Sequence, residues 1–78
     1  MSNQYEPVFY RMVEPGIVEI YRESGAGGAQ RFDRRTLNMV IEGLEGPLGA
    51  IMASEESREE GLKVLRGALA YLEEHDGH

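Results

Sequence analysis

Residues that enzymes use for catalysis are scarce in this 78-residue chain. There is no cysteine, and the two histidines, His75 and His78, stand within the last four residues. A cysteine nucleophile and a thiolate metal site are therefore excluded, and a buried imidazole base nearly so. Glu19 could exchange a proton near Tyr10 or Tyr21, but nothing in the sequence around it indicates a concave pocket. We expect no enzymatic activity and no catalytic, cofactor-binding or metal-binding residues.

Two segments begin like ligand-binding motifs but depart from them. His75-Asp76-Gly77-His78 supplies two imidazoles and a carboxylate, but residues at a chain end are usually disordered. Gly25-Ala26-Gly27-Gly28-Ala29-Gln30 resembles the start of a dinucleotide-binding loop. However, Gln30 stands where the last glycine is needed, and no helix follows directly. We predict a frayed C-terminal end and a flexible loop.

Three arginines, Arg31, Arg34 and Arg35, form a candidate anion-binding cluster. Arg34 and Arg35 fall in the first turn of a predicted helix, where the helix dipole disfavours each cation by about 0.3–1 kcal/mol. Such a cluster can hold a phosphate, a partner carboxylate or a nucleic-acid backbone. The alternative, which we favour, is internal neutralisation by acids at the start of the last helix. Those acids are Glu55, Glu56, Glu59 and Glu60.

The net charge of −6 comes entirely from the C-terminal half of the chain. Residues 41–78 hold nine acidic and three basic residues, whereas residues 1–40 hold five of each. An acidic half repels nucleic acid and anionic membranes and suits a basic partner, although a solvated helix surface has the same composition. No stretch approaches the roughly 20 apolar residues of a membrane span, so we expect a cytoplasmic protein. The preference for arginine over lysine is common in GC-rich bacteria and their phages.

Residues 8–22 predict a β-hairpin, because two runs rich in β-branched and aromatic residues flank Glu14-Pro15-Gly16. A three-residue connection places opposite charges and two aromatic rings across from each other, and it pairs Val13 with Ile17 next to the turn. Gly16 would then adopt a left-handed or bulged conformation. The other predicted pairs are Phe9 with Tyr21, Tyr10 with Ile20, Arg11 with Glu19 and Met12 with Val18.

Three helices follow a short third strand at residues 30–32. Asp33 is a good N-cap for the first helix, which carries Leu37, Val40, Ile41 and Leu44 on one face and ends at Gly46-Pro47. A short second helix covers residues 48–53. The third helix is predicted to begin at the capping box that starts with Ser57 and to end near Glu74.

The predicted elements carry more apolar surface than one small core needs. The outer hairpin face holds Phe9, Val13, Ile17 and Tyr21 around a single ion pair. On the last helix, Val64 and Tyr71 lie beside the leucine stripe. Either all these residues are buried in one protomer, or a partner covers some of them, since small chains without disulfides often complete their core by association. Both alternatives stay open from the sequence.

The order of elements resembles that of some small phage-encoded anti-CRISPR proteins. The resemblance covers residues 28–51 with gaps and includes Phe32-Asp33, Gly43-Leu44-Glu45-Gly46 and Leu48-Gly49-Ala50-Ile51. Aspartate caps and glycine stops are common, so these elements do not assign the chain to that family. The resemblance implies a non-enzymatic inhibitor of a host nucleic-acid-processing complex, with an acidic surface in place of nucleic acid.

We predict one α+β domain over residues 1–78, with an antiparallel hairpin or three-stranded sheet followed by two or three helices packed on one face. Residues 1–6 and 75–78 are expected to be flexible. The predicted function is non-enzymatic protein binding, as a homodimeric adaptor, accessory subunit or inhibitor. Expected contact residues are Phe9, Val13, Ile17 and Tyr21, or Val64 and Tyr71. The alternatives are an acidic phage-type inhibitor acting through residues 55–60, and phosphate or nucleic-acid contact through the arginine cluster.

Overall fold

The computed structural model describes residues 6–25, 27–52 and 54–76. The described elements are, in chain order, β1 (Val8–Glu14), β2 (Ile17–Arg22), β3 (Gln30–Asp33), α1 (Arg34–Glu45), α2 (Pro47–Met52) and α3 (Glu55–Asp76). The strands form an antiparallel sheet in the order β1-β2-β3, and α1 and α3 pack against it. The predicted α+β fold is confirmed.

The hairpin has the predicted register except beside the turn. The four pairs predicted away from the turn are all present. Next to the turn the prediction is wrong, because Ile17 pairs with Glu14 and not with Val13. A two-residue Pro15-Gly16 loop alone would shift the register by one, and a β-bulge at Val13 compensates for that shift. Gly16 has a φ of +82°, in the left-handed region that glycine adopts without a Cβ clash.

The predicted ends of α1 are confirmed by its capping bonds. The Asp33 carboxylate accepts a hydrogen bond from the Thr36 N–H at 2.8 Å. The Gly46 N–H donates to the Glu42 carbonyl at 3.0 Å, and Pro47 then opens α2. Each of these hydrogen bonds joins residues no more than four positions apart, so the sequence alone was enough to place both ends of α1.

Helix α3 is longer than predicted at both ends. Its N-cap is Ser54 and not Ser57, since Ser54 Oγ accepts a hydrogen bond from the Ser57 N–H at 3.1 Å. The earlier start places Glu55 and Glu56 in the first turn, where the helix dipole favours acidic side chains. At the other end the helix runs to Asp76, beyond the Glu74 expected from the sequence.

The chain ends are described only in part. The Glu6 carboxylate accepts hydrogen bonds from the Ser24 N–H and hydroxyl, at 3.1 and 2.7 Å. His75 belongs to α3 and stacks on Tyr71 with ring centroids 4.0 Å apart. The flexibility expected of residues 6 and 75 stays a prediction. Residues 1–5, 77 and 78 lie outside the described residues. The predicted end of α2 at Ala53 does too.

The core lies between one sheet face and the α1–α3 layer. Two residues of β2 and the leucine stripe of α3 meet the buried side of α1. The buried apolar residues are Val18, Ile20, Leu37, Ile41, Leu62, Leu65, Ala68 and Leu72. Within the described ranges, no helix combines the length and the hydropathy that a bilayer crossing requires.

Candidate binding surface

The helices pack against one face of the sheet, and the opposite face is named here the outer face. Strand residues alternate between the two faces. Val18 and Ile20 are buried on the inner face, so Ile17, Glu19 and Tyr21 point outward, as do the residues that pair with them. The outer face carries Phe9, Arg11, Ile17, Glu19, Tyr21 and Arg31, together with Glu14 and Asp33, which pair with Ile17 from either side. It combines aromatic, aliphatic and charged side chains on adjacent strands.

Glu19 lies at the centre of the outer face and is buried although it is charged, with 4% of its surface exposed. Its Oε1 accepts a hydrogen bond from Arg11 Nε at 2.5 Å, and its Oε2 accepts one from Arg31 Nε at 3.3 Å. The bond from Arg11 is the main reason that the pKa of Glu19 lies below its ordinary value, and it outweighs the opposing effect of burial. A carboxylate held by two arginines, with its pKa lowered, is a poor general base.

Both arginines keep donor groups available at the surface. Each one binds Glu19 through Nε, and their side chains remain 58% and 62% exposed. The guanidinium of Arg11 also lies over Tyr21, with Cζ 4.6 Å from the ring centroid. The terminal nitrogens of Arg11 and Arg31 are therefore placed to contact a further acceptor.

An aromatic pair lies beside the arginines. The Phe9 and Tyr21 rings have centroids 5.8 Å apart and are tilted by 31°. Phe9 is 44% exposed, whereas Tyr21 and Ile17 are half-buried. Val13 is also half-buried, but the bulge interrupts the alternation that assigned it to this face. Three of the four contact residues predicted for the hairpin thus share one face.

The two contact residues predicted on α3 lie elsewhere. Val64 and Tyr71 are half-buried and pack against the core. The Val64 carbonyl accepts a hydrogen bond from Tyr10 Oη at 2.8 Å, and the Tyr71 ring lies 5.8 Å from the Tyr10 ring. Val64 and Tyr71, the apolar residues beside the leucine stripe of α3, are therefore partly covered within the protomer by the inner side of β1.

The arginine cluster is divided by the structure. Arg31 pairs with Glu19, whereas Arg34 and Arg35 are exposed at the start of α1 and form no ion pair within the described residues. The internal neutralisation that we favoured is therefore wrong for these side chains. The acids proposed for it are Glu55, Glu56 and Glu59, which are exposed, and Glu60, which is half-buried. The ion pair that does join two helices is Arg66 with Glu45.

The most exposed large apolar residues of the described ranges are not among the contact residues predicted from the sequence. Ile51 and Leu48 on α2 are 77% and 69% exposed, and Met39 on α1 is 61% exposed. Helical spacing indicated that Leu48 and Ile51 share a side, but it could not show that this side faces solvent. Its orientation follows from Gly49, where a Cβ would lie 2.4 Å from the Leu44 carbonyl oxygen. That close approach turns Gly49 toward α1 and the apolar pair away from it.

The two motif-like segments show no ligand-binding geometry in the described part. Gly25, Gly27 and Gly28 all have positive φ, and the Gly28 N–H donates to the Gly25 carbonyl at 3.0 Å, while Ala26 lies outside the described residues. No group of three or more histidine or acidic side chains that could hold a metal ion occurs among residues 6–25, 27–52 and 54–76. His78 lies outside these ranges.

Comparisons with protein-family models, with curated proteins and with solved structures found no match to this chain. The anti-CRISPR resemblance accordingly remains one of element order.

Proposed function

We propose that this protein is a non-enzymatic protein-binding module, such as an adaptor, accessory subunit or inhibitor, which binds its partner on the outer face. The supporting observation is the aromatic pair Phe9–Tyr21 beside two exposed guanidinium groups on a sheet face that the helices leave open. Aromatic residues and arginine are the types most enriched at the centres of protein interfaces. Aromatic side chains present rigid amphipathic surface, and the two arginines are already held by Glu19, so less side-chain entropy is lost on binding.

The partner group that fits beside Arg11 and Arg31 is a carboxylate. Glu19 is matched by two arginines, so this trio of charges is net positive. A partner carboxylate can therefore bind the free guanidinium nitrogens while an apolar side chain packs on Phe9. A second copy offers acids of this kind at the exposed start of α3, which agrees with the expected self-association. Contact between two outer faces would instead bring the arginines of both copies together.

The experiment compares two double variants of the tagged full-length protein. The test variant is Phe9→Ser with Tyr21→Ser, and the matched control is Leu48→Ser with Ile51→Ser, which removes two more exposed apolar residues from α2. Proteins that co-purify from the native host are identified by mass spectrometry, and self-association is measured by sedimentation over a range of protein concentrations. Circular dichroism establishes that each variant is folded.

We expect the outer-face variant to lose its partner, or its concentration-dependent increase in mass, while the α2 variant keeps it. Since the contact includes ion pairs, added salt should weaken it in the wild type. Equal loss in both variants, or a partner that the outer-face variant retains, would contradict the proposal. Unfolding of the outer-face variant would show that Phe9 and Tyr21 serve stability instead.

Single-stranded nucleic acid is a second candidate partner for the same surface. Exposed aromatic rings next to arginines on an antiparallel sheet can stack bases and contact phosphates. The net charge of −6 opposes this function. Fluorescence anisotropy with a labelled oligothymidine distinguishes the two: binding that Phe9→Ser with Tyr21→Ser and Arg31→Ala each weaken would support nucleic acid on the outer face.

A further inference from the structure

Strand β1 forms an open edge of the sheet. It pairs with β2 on one side only, and within the described residues no strand pairs with its other side. Natural proteins usually protect such edges, because unpaired N–H and C=O groups invite another strand. Here Pro7 precedes the strand and the bulge at Val13 ends its regular part, so the open stretch is residues 8–12. We call this stretch the β1 edge.

A groove runs along the β1 edge, between β1 and α3. It has a volume of about 330 Å³ and is lined by Val8 and Tyr10 from β1 and by Glu60, Lys63 and Val64 from α3, with Glu6 at one end. A neighbouring cavity of about 370 Å³ shares Val8, Glu60 and Val64 and reaches the core at Ile20 and Leu65. A strand edge beside a groove under a helix is one arrangement by which proteins bind extended peptides.

The charges at the groove favour a cationic ligand group. Glu60 is half-buried and forms no ion pair within the described part of the chain. Its charge also raises the pKa of Tyr10, although burial of that hydroxyl is the larger cause. Glu6 contributes a second carboxylate, which accepts hydrogen bonds from Ser24, and Lys63 is the one cation that lines the groove, whereas Arg22 lines the neighbouring cavity. The lining of the groove is therefore net negative, with two carboxylates and one ammonium group.

We propose that an extended segment of a partner protein adds to the β1 edge as a fourth strand. One apolar side chain enters the groove against Val8 and Val64, and a lysine or arginine two residues along pairs with Glu60. The spacing of two follows because alternate residues of a strand share a face. This inference goes beyond the proposed function, since it uses the strand edge and the inner side of the sheet instead of the outer face.

A second copy of this chain does not supply the required segment through its own edge strand. The inner-face residues of the two edge strands are Val8, Tyr10 and Met12 on β1 and Gln30 and Phe32 on β3, and they include no cation. The partner that fits is thus a different protein with an apolar and basic segment. Its basic character agrees with the acidic excess of residues 41–78.

The test begins with a random decapeptide library displayed on phage and the purified full chain as bait. We expect enriched peptides to carry an apolar residue followed two positions later by lysine or arginine. A synthetic peptide of the enriched sequence should bind Glu60→Gln about tenfold more weakly than wild type, the loss expected for a charge-assisted hydrogen bond. Glu73→Gln, an exposed acid on the same helix, is the matched control and should change little.

Hydrogen exchange locates the bound peptide independently of the variants. The peptide should slow exchange of amides in residues 8–12, and methylation of alternate peptide nitrogens should abolish binding. No enrichment, or enrichment of peptides that Glu60→Gln binds equally well, would overturn the inference. Peptides that leave β1 exchange unchanged but are lost in Phe9→Ser with Tyr21→Ser would overturn it while supporting the outer-face proposal. Protection of residues 8–12 that rises with protein concentration, without peptide, would assign the edge to a second copy and also overturn it.

Discussion

Replacement of Gly67 by alanine tests how α3 rests on β1, and so the wall of the groove. The Tyr10 side chain crosses α3 at this glycine and donates its hydrogen bond to the Val64 carbonyl at 2.8 Å. A Cβ at position 67 would lie 2.4 Å from Tyr10 Oη and 3.1 Å from Cζ. Real Cβ atoms do not approach that closely, so the tyrosine must move.

The expected free-energy change has opposing contributions. Alanine is favoured over glycine inside a helix by about 1 kcal/mol. Overpacking against a rigid ring costs about 1–3 kcal/mol, and loss of the Tyr10–Val64 hydrogen bond costs about 0.5–1.5 kcal/mol. Steric cost exceeds the propensity gain, so we expect Gly67→Ala to lower the free energy of unfolding by about 1–3 kcal/mol.

A double-mutant cycle with Tyr10→Phe isolates the contact. Removal of Oη eliminates the nearest atom, so alanine at position 67 should be tolerated much better in the Tyr10→Phe background. Urea denaturation followed by circular dichroism gives the free energy of unfolding of the four proteins. We expect the two substitutions to be coupled by about 1–2 kcal/mol.

Two results would refute this reasoning. Stabilisation by Gly67→Ala alone would show that helix propensity acts without a steric cost. Additivity within about 0.5 kcal/mol would show that Tyr10 does not lie over Gly67. In either case Tyr10 would not form the wall that we assign to the groove.

Three further predictions concern the corner between α1 and α2, the ion pairs of the outer face and the start of α3. Gly49→Ala should destabilise the protein by about 2 kcal/mol or more in thermal or urea unfolding, because the new Cβ would meet immobile main-chain atoms. The control is Gly43→Ala, which should be neutral or stabilising because a Cβ there meets nothing within 4 Å. Because the pKa of Glu19 is lowered, its carboxylate stabilises the folded state at pH values above the ordinary carboxyl pKa of about 4.5, and this contribution is lost as the pH falls through the folded pKa. The stability difference between wild type and Glu19→Gln should therefore shrink from about pH 7 to about pH 3. A constant difference would contradict the ion-pair assignment. Ser54→Ala should lower the free energy of unfolding by about 1 kcal/mol through loss of the N-cap, and no change would indicate that α3 starts elsewhere.

The sequence predicted those features whose causes lie within a few residues. Alternation of apolar residues fixed the two hairpin strands, and Asp33 and Gly46 marked the ends of α1. Where two local signals competed, the prediction failed. Ser54 and Ser57 are both acceptable caps, and the earlier one starts a longer helix with acids in its first turn. Val13 fits a regular strand equally well, and the bulge there arises only because the Pro15-Gly16 loop must be reconciled with the pairing of the whole hairpin.

Composition and pattern also determined that the chain is poor in catalytic groups and rich in apolar surface. Which part of that surface is open was decided by tertiary packing. Val64 and Tyr71 are engaged by Tyr10 across 54 and 61 residues of chain, and Leu48 is turned outward by a contact at Gly49. Arg31 binds Glu19 only because β3 pairs with β2 in a particular register. The sequence pattern indicates which side chains share a face of a strand or helix. Which of those faces meets solvent depends on how the elements pack together, because a chain of this size has a core too small to bury all of them.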